Sequence, residues 1–157
     1  SSYILNVYSN EKDEHYIGIF DGSRNVKFCG TVPYSEVMKK SDESDILIVV
    51  EGFKKKDVDI TRYSLSTKVA DSLSSGAAVF AYGSAECGAI EYAESTGCIT
   101  TCTDKDMLEV SLRSLIYDTE LQRRNYEKGI TVVENNHRLE NSTGIFESVV
   151  NGVCGDL

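Results

Sequence analysis

The chain has 157 residues, 41% hydrophobic and 26% charged, a composition suited to one soluble domain with a real core. A formal net charge of −9 excludes a basic nucleic-acid surface and disfavours adsorption to anionic lipid. Cys29, Cys87, Cys98, Cys102 and Cys154 form no Cys-x-x-Cys, and with only His15 and His137 beside them they do not spell a zinc site, so reduced thiols in a cytoplasmic protein are expected.

Tyr3–Tyr8 is a compact apolar run and predicts a buried strand. Glu11–Phe20 predicts a helix burying Tyr16, Ile17, Ile19 and Phe20, and Asp21-Gly22-Ser23 a turn. Val26–Cys29 reads as a second strand ended by Gly30-Thr31, and Pro33 opens a helix over Tyr34–Lys40. Ile46–Val50 is apolar at every position, as expected of a central parallel strand covered on both faces. Glu51–Tyr63 reads as a polar loop carrying Lys54, Lys55, Lys56 and Arg62.

Ser64–Gly83 (SLSTKVADSLSSGAAVFAYG) is the stretch on which the functional reading turns. Ser64, Ser66 and Thr67 suit a helix start, where hydroxyls accept hydrogen bonds from free N–H groups. Val69, Ala70 and Leu73 have the spacing of one buried helical face. Gly76 can close the helix in the left-handed conformation, and Ala77–Tyr82 then forms a strand ended by Gly83. Ser84–Gly88 reads as a loop, Ala89–Thr96 as a helix capped by Gly97, and Cys98–Thr101 as a strand. Asp104 starts a helix with an apolar stripe of Met107, Leu108, Val110, Leu112, Leu115 and Ile116. Glu120–Asn135 and Arg138–Val150 read as two further helices, followed by a patternless tail, Asn151–Leu157.

Strands thus alternate with helices, which predicts an α/β fold: a Rossmann-like three-layer sandwich with one parallel sheet of about five strands in a single domain. Ligands in such sheets sit beyond the carboxyl ends of the strands, so the loops at Gly30, Glu51 and Gly83 are expected to meet there.

Lys68 is out of place by ordinary helix rules. It lies in a first turn, whose partial positive charge disfavours a cation. A phosphate reverses that sign, because free N–H groups, hydroxyls and one ammonium then converge on one anion. Asp71, three residues on, shares that face ~4–5 Å further along the axis. Cation and carboxylate together suit a nucleoside diphosphate, the carboxylate accepting from ribose hydroxyls. The plainer alternative is a surface helix on which Lys68 and Asp71 form a solvated pair.

From Val26 to Phe146 the chain resembles the carboxyl-terminal, donor-binding domain of family 4 retaining glycosyltransferases, the group 1 transferases of GT-B fold. Val26-Lys27-Phe28-Cys29-Gly30 resembles the family's V-x-F-x-G strand, and Ser44-Asp45-Ile46-Leu47 the beginning of its next strand. Ser66-Thr67-Lys68 with Asp71, Gly76 and Val79 resembles a variant of its nucleotide-sugar motif; Ile90-Glu91-Tyr92, Gly97, Asp104 and Leu108 resemble the segment downstream.

The resemblance implies binding of a UDP- or GDP-linked sugar for transfer to a glycan or lipid-linked acceptor. Ser66, Thr67 and Lys68 would hold the pyrophosphate, Asp71 the ribose, and Gly30 and Thr31 would border the base. Arg62, Tyr63 and Gly83 are further candidates for sugar or phosphate contacts, and no residue is marked as catalytic. Tyr63 stands where the family's motif has a glutamate. The family pairs this domain with an amino-terminal, acceptor-binding domain, so the chain is expected to be part of a larger protein, with any membrane contact made through that other domain. No cofactor or divalent metal is expected; Asp57-Val58-Asp59 lies in the charged loop rather than at a strand end.

Two other classes compete. A dinucleotide-binding oxidoreductase would want Gly-x-Gly-x-x-Gly after the first strand, where the chain has Tyr8-Ser9-Asn10-Glu11. A non-catalytic regulatory domain of receiver type would want an aspartate at the end of a central strand, where the chain has Glu51.

Overall fold

Each strand is followed by one or more helices in the computed structural model, which describes residues 3–20 and 22–154. The chain packs as two units, the first running to Lys40 and the second from Ser41.

In the first unit β1 (Leu5–Tyr8) pairs in parallel with β2 (Val26–Gly30), and α1 (Glu14–Gly18) connects them. The register shifts between Val7 and Tyr8, opposite the point where Gly30 takes φ 70°. That left-handed conformation suits glycine. Asp13 caps α1 by accepting from the N–H of His15 at 2.9 Å. The expected helix over Glu11–Phe20 is shorter and buries less: Tyr16 and Ile19 are exposed, Ile17 and Phe20 half-buried. Phe20 stacks on Phe28 with ring centroids 6.0 Å apart. Leu5–Tyr8 is mostly exposed rather than buried. Of the expected turn, Gly22 takes φ 83° and Asp21 lies outside the described residues. Helix α2 (Tyr34–Asp42), opened by Pro33, carries the chain into the second unit.

The second unit is built on a parallel sheet in the order β3 (Ile46–Val50), β4 (Ala78–Tyr82), β5 (Thr100–Cys102). β4 is central, and its alternating side chains feed two cores. Ala78 and Phe80 pack with Cys102, with Leu115 of α6 (Leu108–Tyr117), and with Leu121 of α7 (Thr119–Asn136). Val79 and Ala81 pack with Val69 and Leu73 of α4 (Thr67–Ser74), and with Ala89, Ile90 and Ala93 of α5 (Gly88–Thr96). Helices therefore cover both faces, as the α/β reading expects. The five strands, however, form a two-stranded and a three-stranded parallel sheet, not one sheet of about five.

Ile46–Val50 is an edge strand with Val49 alone buried and Val50 66% exposed, so the expectation of a central strand is corrected. A run apolar at every position carries no face information, and pairing partners decide centrality. The stretch read as a polar loop contains a helix, α3 (Lys55–Thr61). Its sequence hides it because Val58 is its one buried residue, while Ile60 points outward. Lys55 and Asp59 form an i,i+4 ion pair at 2.6 Å, which supports the helix modestly.

Two glycine caps are as expected: Gly76 takes φ 83° just past α4, and Gly97 takes φ 61° and donates to Ala93 O at 3.0 Å. The strand expected at Cys98–Thr101 lies slightly later, and Asp104 caps a single 3₁₀ turn, Lys105–Met107, ahead of α6. Asp118 caps α7, and Gln122 turns back to donate to the carbonyls of Leu115 and Ile116 at 2.7 and 3.2 Å. Asn125, buried, donates to Thr100 Oγ1 at 2.7 Å and ties α7 to β5. α8 (Leu139–Cys154) runs further than the pattern suggested; residues 155–157 lie outside the described residues. No helix among the described residues is long and apolar enough to cross a membrane.

Leu115 is fully buried against β4, whereas Val110 on the same helix is exposed. Leu115→Ala is expected to cost about 2–5 kcal/mol by leaving a cavity, and Val110→Ala to stay within about 0.5 kcal/mol. Urea unfolding of the two variants checks this.

Candidate functional site

Three segments converge at the carboxyl end of β3. The strand runs out at Val50, and the N–H of Glu51 continues the ladder by donating to Tyr82 O at 2.8 Å. α3 then turns the chain back, and Ser64–Ser66 leads into α4. Between them lies a concavity of about 480 Å³ lined by Glu51, Thr61, Ser64, Ser66 and Lys68 together with Ile48, Val49 and Val50 of β3.

Ser66 has the extended conformation of an N-cap residue but makes no side-chain capping hydrogen bond. The residues preceding α3 and α5, Lys54 and Cys87, make none either. By contrast, α1, the 3₁₀ turn and α7 each have an aspartate cap. The first-turn N–H groups of α4 are thus left without a side-chain partner beside Lys68. An uncapped helix start with an adjacent ammonium has the chemistry to accept an anion.

The sequence-derived candidates fall into three groups. Ser66 and Lys68 come together on the concavity with Ser64. Thr67 and Asp71 are exposed and do not line it. Among the described residues Lys68 and Asp71 form no direct ion pair with each other. Gly30 and Thr31 belong to the first unit, where Gly30 closes β2 and its carbonyl accepts from Ser9 N at 2.9 Å.

Arg62 points to Glu86 at 3.8 Å and lies 5.6 Å from the centre of the Tyr63 ring, which is 92% exposed. Gly83 is structural at close quarters. A Cβ there would lie 2.6 Å from Glu51 Cβ and 3.2 Å from its backbone. Gly88 is similar, its Cβ position lying 2.7 Å from Ser64 O. These glycines let the loop after β4 press against the two segments that frame the concavity. Of the loops expected to meet, those at Glu51 and Gly83 do.

Glu51 also lines the concavity, although sequence reasoning marked it only as a loop position. Its position at a strand end was the available signal. Burial raises its carboxyl above the ordinary value, and the Lys68 ammonium partly offsets this. Beside it, Phe53 and Tyr82 pack with ring centroids 4.9 Å apart, and Lys105 Nζ lies 5.0 Å from the Phe53 ring centre.

No family model matches the chain, and no curated protein matches it in sequence. Among solved structures, the fold is similar to that of WaaG, a glycosyltransferase involved in lipopolysaccharide biosynthesis, with a TM-score of 0.65 and 17% sequence identity. The similarity covers 85% of this chain and 34% of that one, so the chain spans about a third of WaaG. At this identity the likeness establishes a glycosyltransferase-like α/β fold.

The raised Glu51 carboxyl has a pH signature. Its raised value adds to stability below the ordinary 4.5, and the contribution is lost as pH rises through the folded-state value. Glu51→Gln stays neutral, so its stability relative to the natural chain is expected to increase between about pH 4 and pH 7. Urea unfolding across that range reads the difference; a pH-independent difference contradicts the raised value.

Proposed function

We propose that the chain is the donor-binding domain of a glycosyltransferase, holding the nucleoside diphosphate of a sugar nucleotide for retaining transfer to a glycan or lipid-linked acceptor. One observation carries the reading. Lys68 stands exposed and free of ion pairs, among the described residues, in the first turn of an uncapped helix that opens on a concavity at a strand's carboxyl end. The glycosyltransferase-like fold supports it.

In this reading the diphosphate lies against the first turn of α4. The N–H groups of that turn and the Ser66 and Thr67 hydroxyls donate to its oxygens, and Lys68 neutralises charge. Asp71, one turn along the same helix, accepts from the ribose hydroxyls. Phosphate charge is met by protein groups, so binding needs no divalent metal. The acceptor and the rest of the active site belong to the remainder of a two-domain enzyme.

A non-catalytic domain of the same fold is the second reading. The observation that favours it is Tyr63, which occupies the place of the family's glutamate and faces solvent. Nucleotide binding separates the two.

Lys68→Ala removes a charge-assisted contact worth roughly 1.5–3 kcal/mol, about tenfold or more in affinity. The loss is expected for UDP or GDP and nearly absent for uridine or guanosine, as calorimetric titration would show. Equal losses for nucleoside and diphosphate would remove Lys68 from the phosphate, and no binding of any nucleotide would favour the non-catalytic reading.

A further inference from the structure

The concavity holds a second charged group that the diphosphate reading leaves unused. Glu51 is half-buried, and among the described residues its carboxylate has no hydrogen-bond or ion-pair partner. Its place is fixed by the main chain. The Glu51 N–H is held by Tyr82 O at 2.8 Å, and the missing Cβ of Gly83 makes room for Glu51 Cβ and backbone. A carboxylate whose main chain is anchored beside an anion site is a liability if the ligand presents only phosphate there. It repels each added phosphate group and draws on the charge of Lys68.

The same carboxylate becomes an asset if the group beyond the phosphate presents hydroxyls. It accepts without donating, and a partner-free, half-buried carboxylate gains most from neutral O–H donors. Ser64 and Ser66 add hydroxyls to the lining, and the exposed Ile48 and Val50, on one face of β3, offer apolar contact to the C–H face of a ring. A ligand with one anionic end, several hydroxyls and an apolar ring face is a glycosyl phosphate.

We infer that Glu51 is the hydroxyl-binding carboxylate of this site: it accepts hydrogen bonds from the sugar joined to the diphosphate and makes the site prefer a sugar nucleotide to the bare diphosphate. The inference rests on the donor-binding reading and adds a specificity-determining residue to it. Tyr63, at the place of the family's acid, faces solvent and is not among the residues lining the concavity.

Glu51→Ala keeps the Cβ that packs at Gly83, and a thermal melt verifies that the variant folds. The 157-residue chain and the variant are titrated calorimetrically with UDP, GDP, UDP-glucose, UDP-N-acetylglucosamine and GDP-mannose. The natural chain is expected to bind at least one conjugate more tightly than its matched diphosphate. Glu51→Ala is expected to reduce that preference about tenfold, in line with loss of a hydrogen bond to a charged group. Affinity for the diphosphate itself is expected to hold or rise, because a nearby negative charge is gone. Glu51→Gln, which keeps an acceptor oxygen, is expected to recover part of the preference. An unchanged ratio in Glu51→Ala, or no conjugate preferred by the natural chain, overturns the role of Glu51 while leaving diphosphate binding intact. Absence of all diphosphate binding by the natural chain overturns the donor reading, and this inference with it.

Discussion

The second unit depends on the burial of β4 from both faces. Ala78, Val79, Phe80 and Ala81 are all buried, and they alternate between the helices on either side. Fully burying a side chain the size of Phe80 or Val79 contributes roughly 1.5–3 kcal/mol, so a five-residue strand can anchor helices in two layers. The strand also fixes the site at one remove. Its ladder with β3 sets where Glu51 emerges, its packing with Val69 and Leu73 sets where α4 begins, and Gly83 at its end permits the close approach between them.

This arrangement separates the hydrophobic and polar duties of one short helix. Val69 and Leu73 hold α4 against the core, while Lys68 is left exposed in the same turn. The helix leaves its first N–H groups uncapped, as α3 and α5 do, whereas α1, the 3₁₀ turn and α7 have an aspartate. An aspartate cap would stabilise the helix by about 1 kcal/mol, but it would also place a negative charge where the proposed anion would bind. Ser66 avoids that charge.

Much of the fold was legible because its signals are local. Gly76 and Gly97 mark helix ends, and both take the left-handed conformation. Pro33 marks a helix start and Asp104 a cap. What was not legible depends on partners distant in sequence. Ile46–Val50 has the composition of a central strand, yet its edge position follows from pairing with β4 alone in its sheet. α3 was hidden because a helix that buries only Val58 leaves no periodic stripe. In the site, Ser66 and Lys68 could be read from helix-start chemistry. Glu51 carried only the signal of a strand end, because its setting is made by Gly83 and Tyr82, more than thirty residues away in the chain. Thr67 and Asp71 were grouped with Lys68 by helical spacing, but spacing does not tell which side chains reach a concavity.

The central claim is that the start of α4 and the end of β3 form one anion-binding site. Backbone amide NMR during titration with UDP and GDP tests it most directly, because it locates binding residue by residue. The account predicts that shifts concentrate at Glu51 and at Ser66 through Val69, with the first-turn N–H groups of α4 moving most as they donate to phosphate. Shifts confined to other surfaces, such as the groove between α7 and α8 around Asn141 and Ile145, would contradict it.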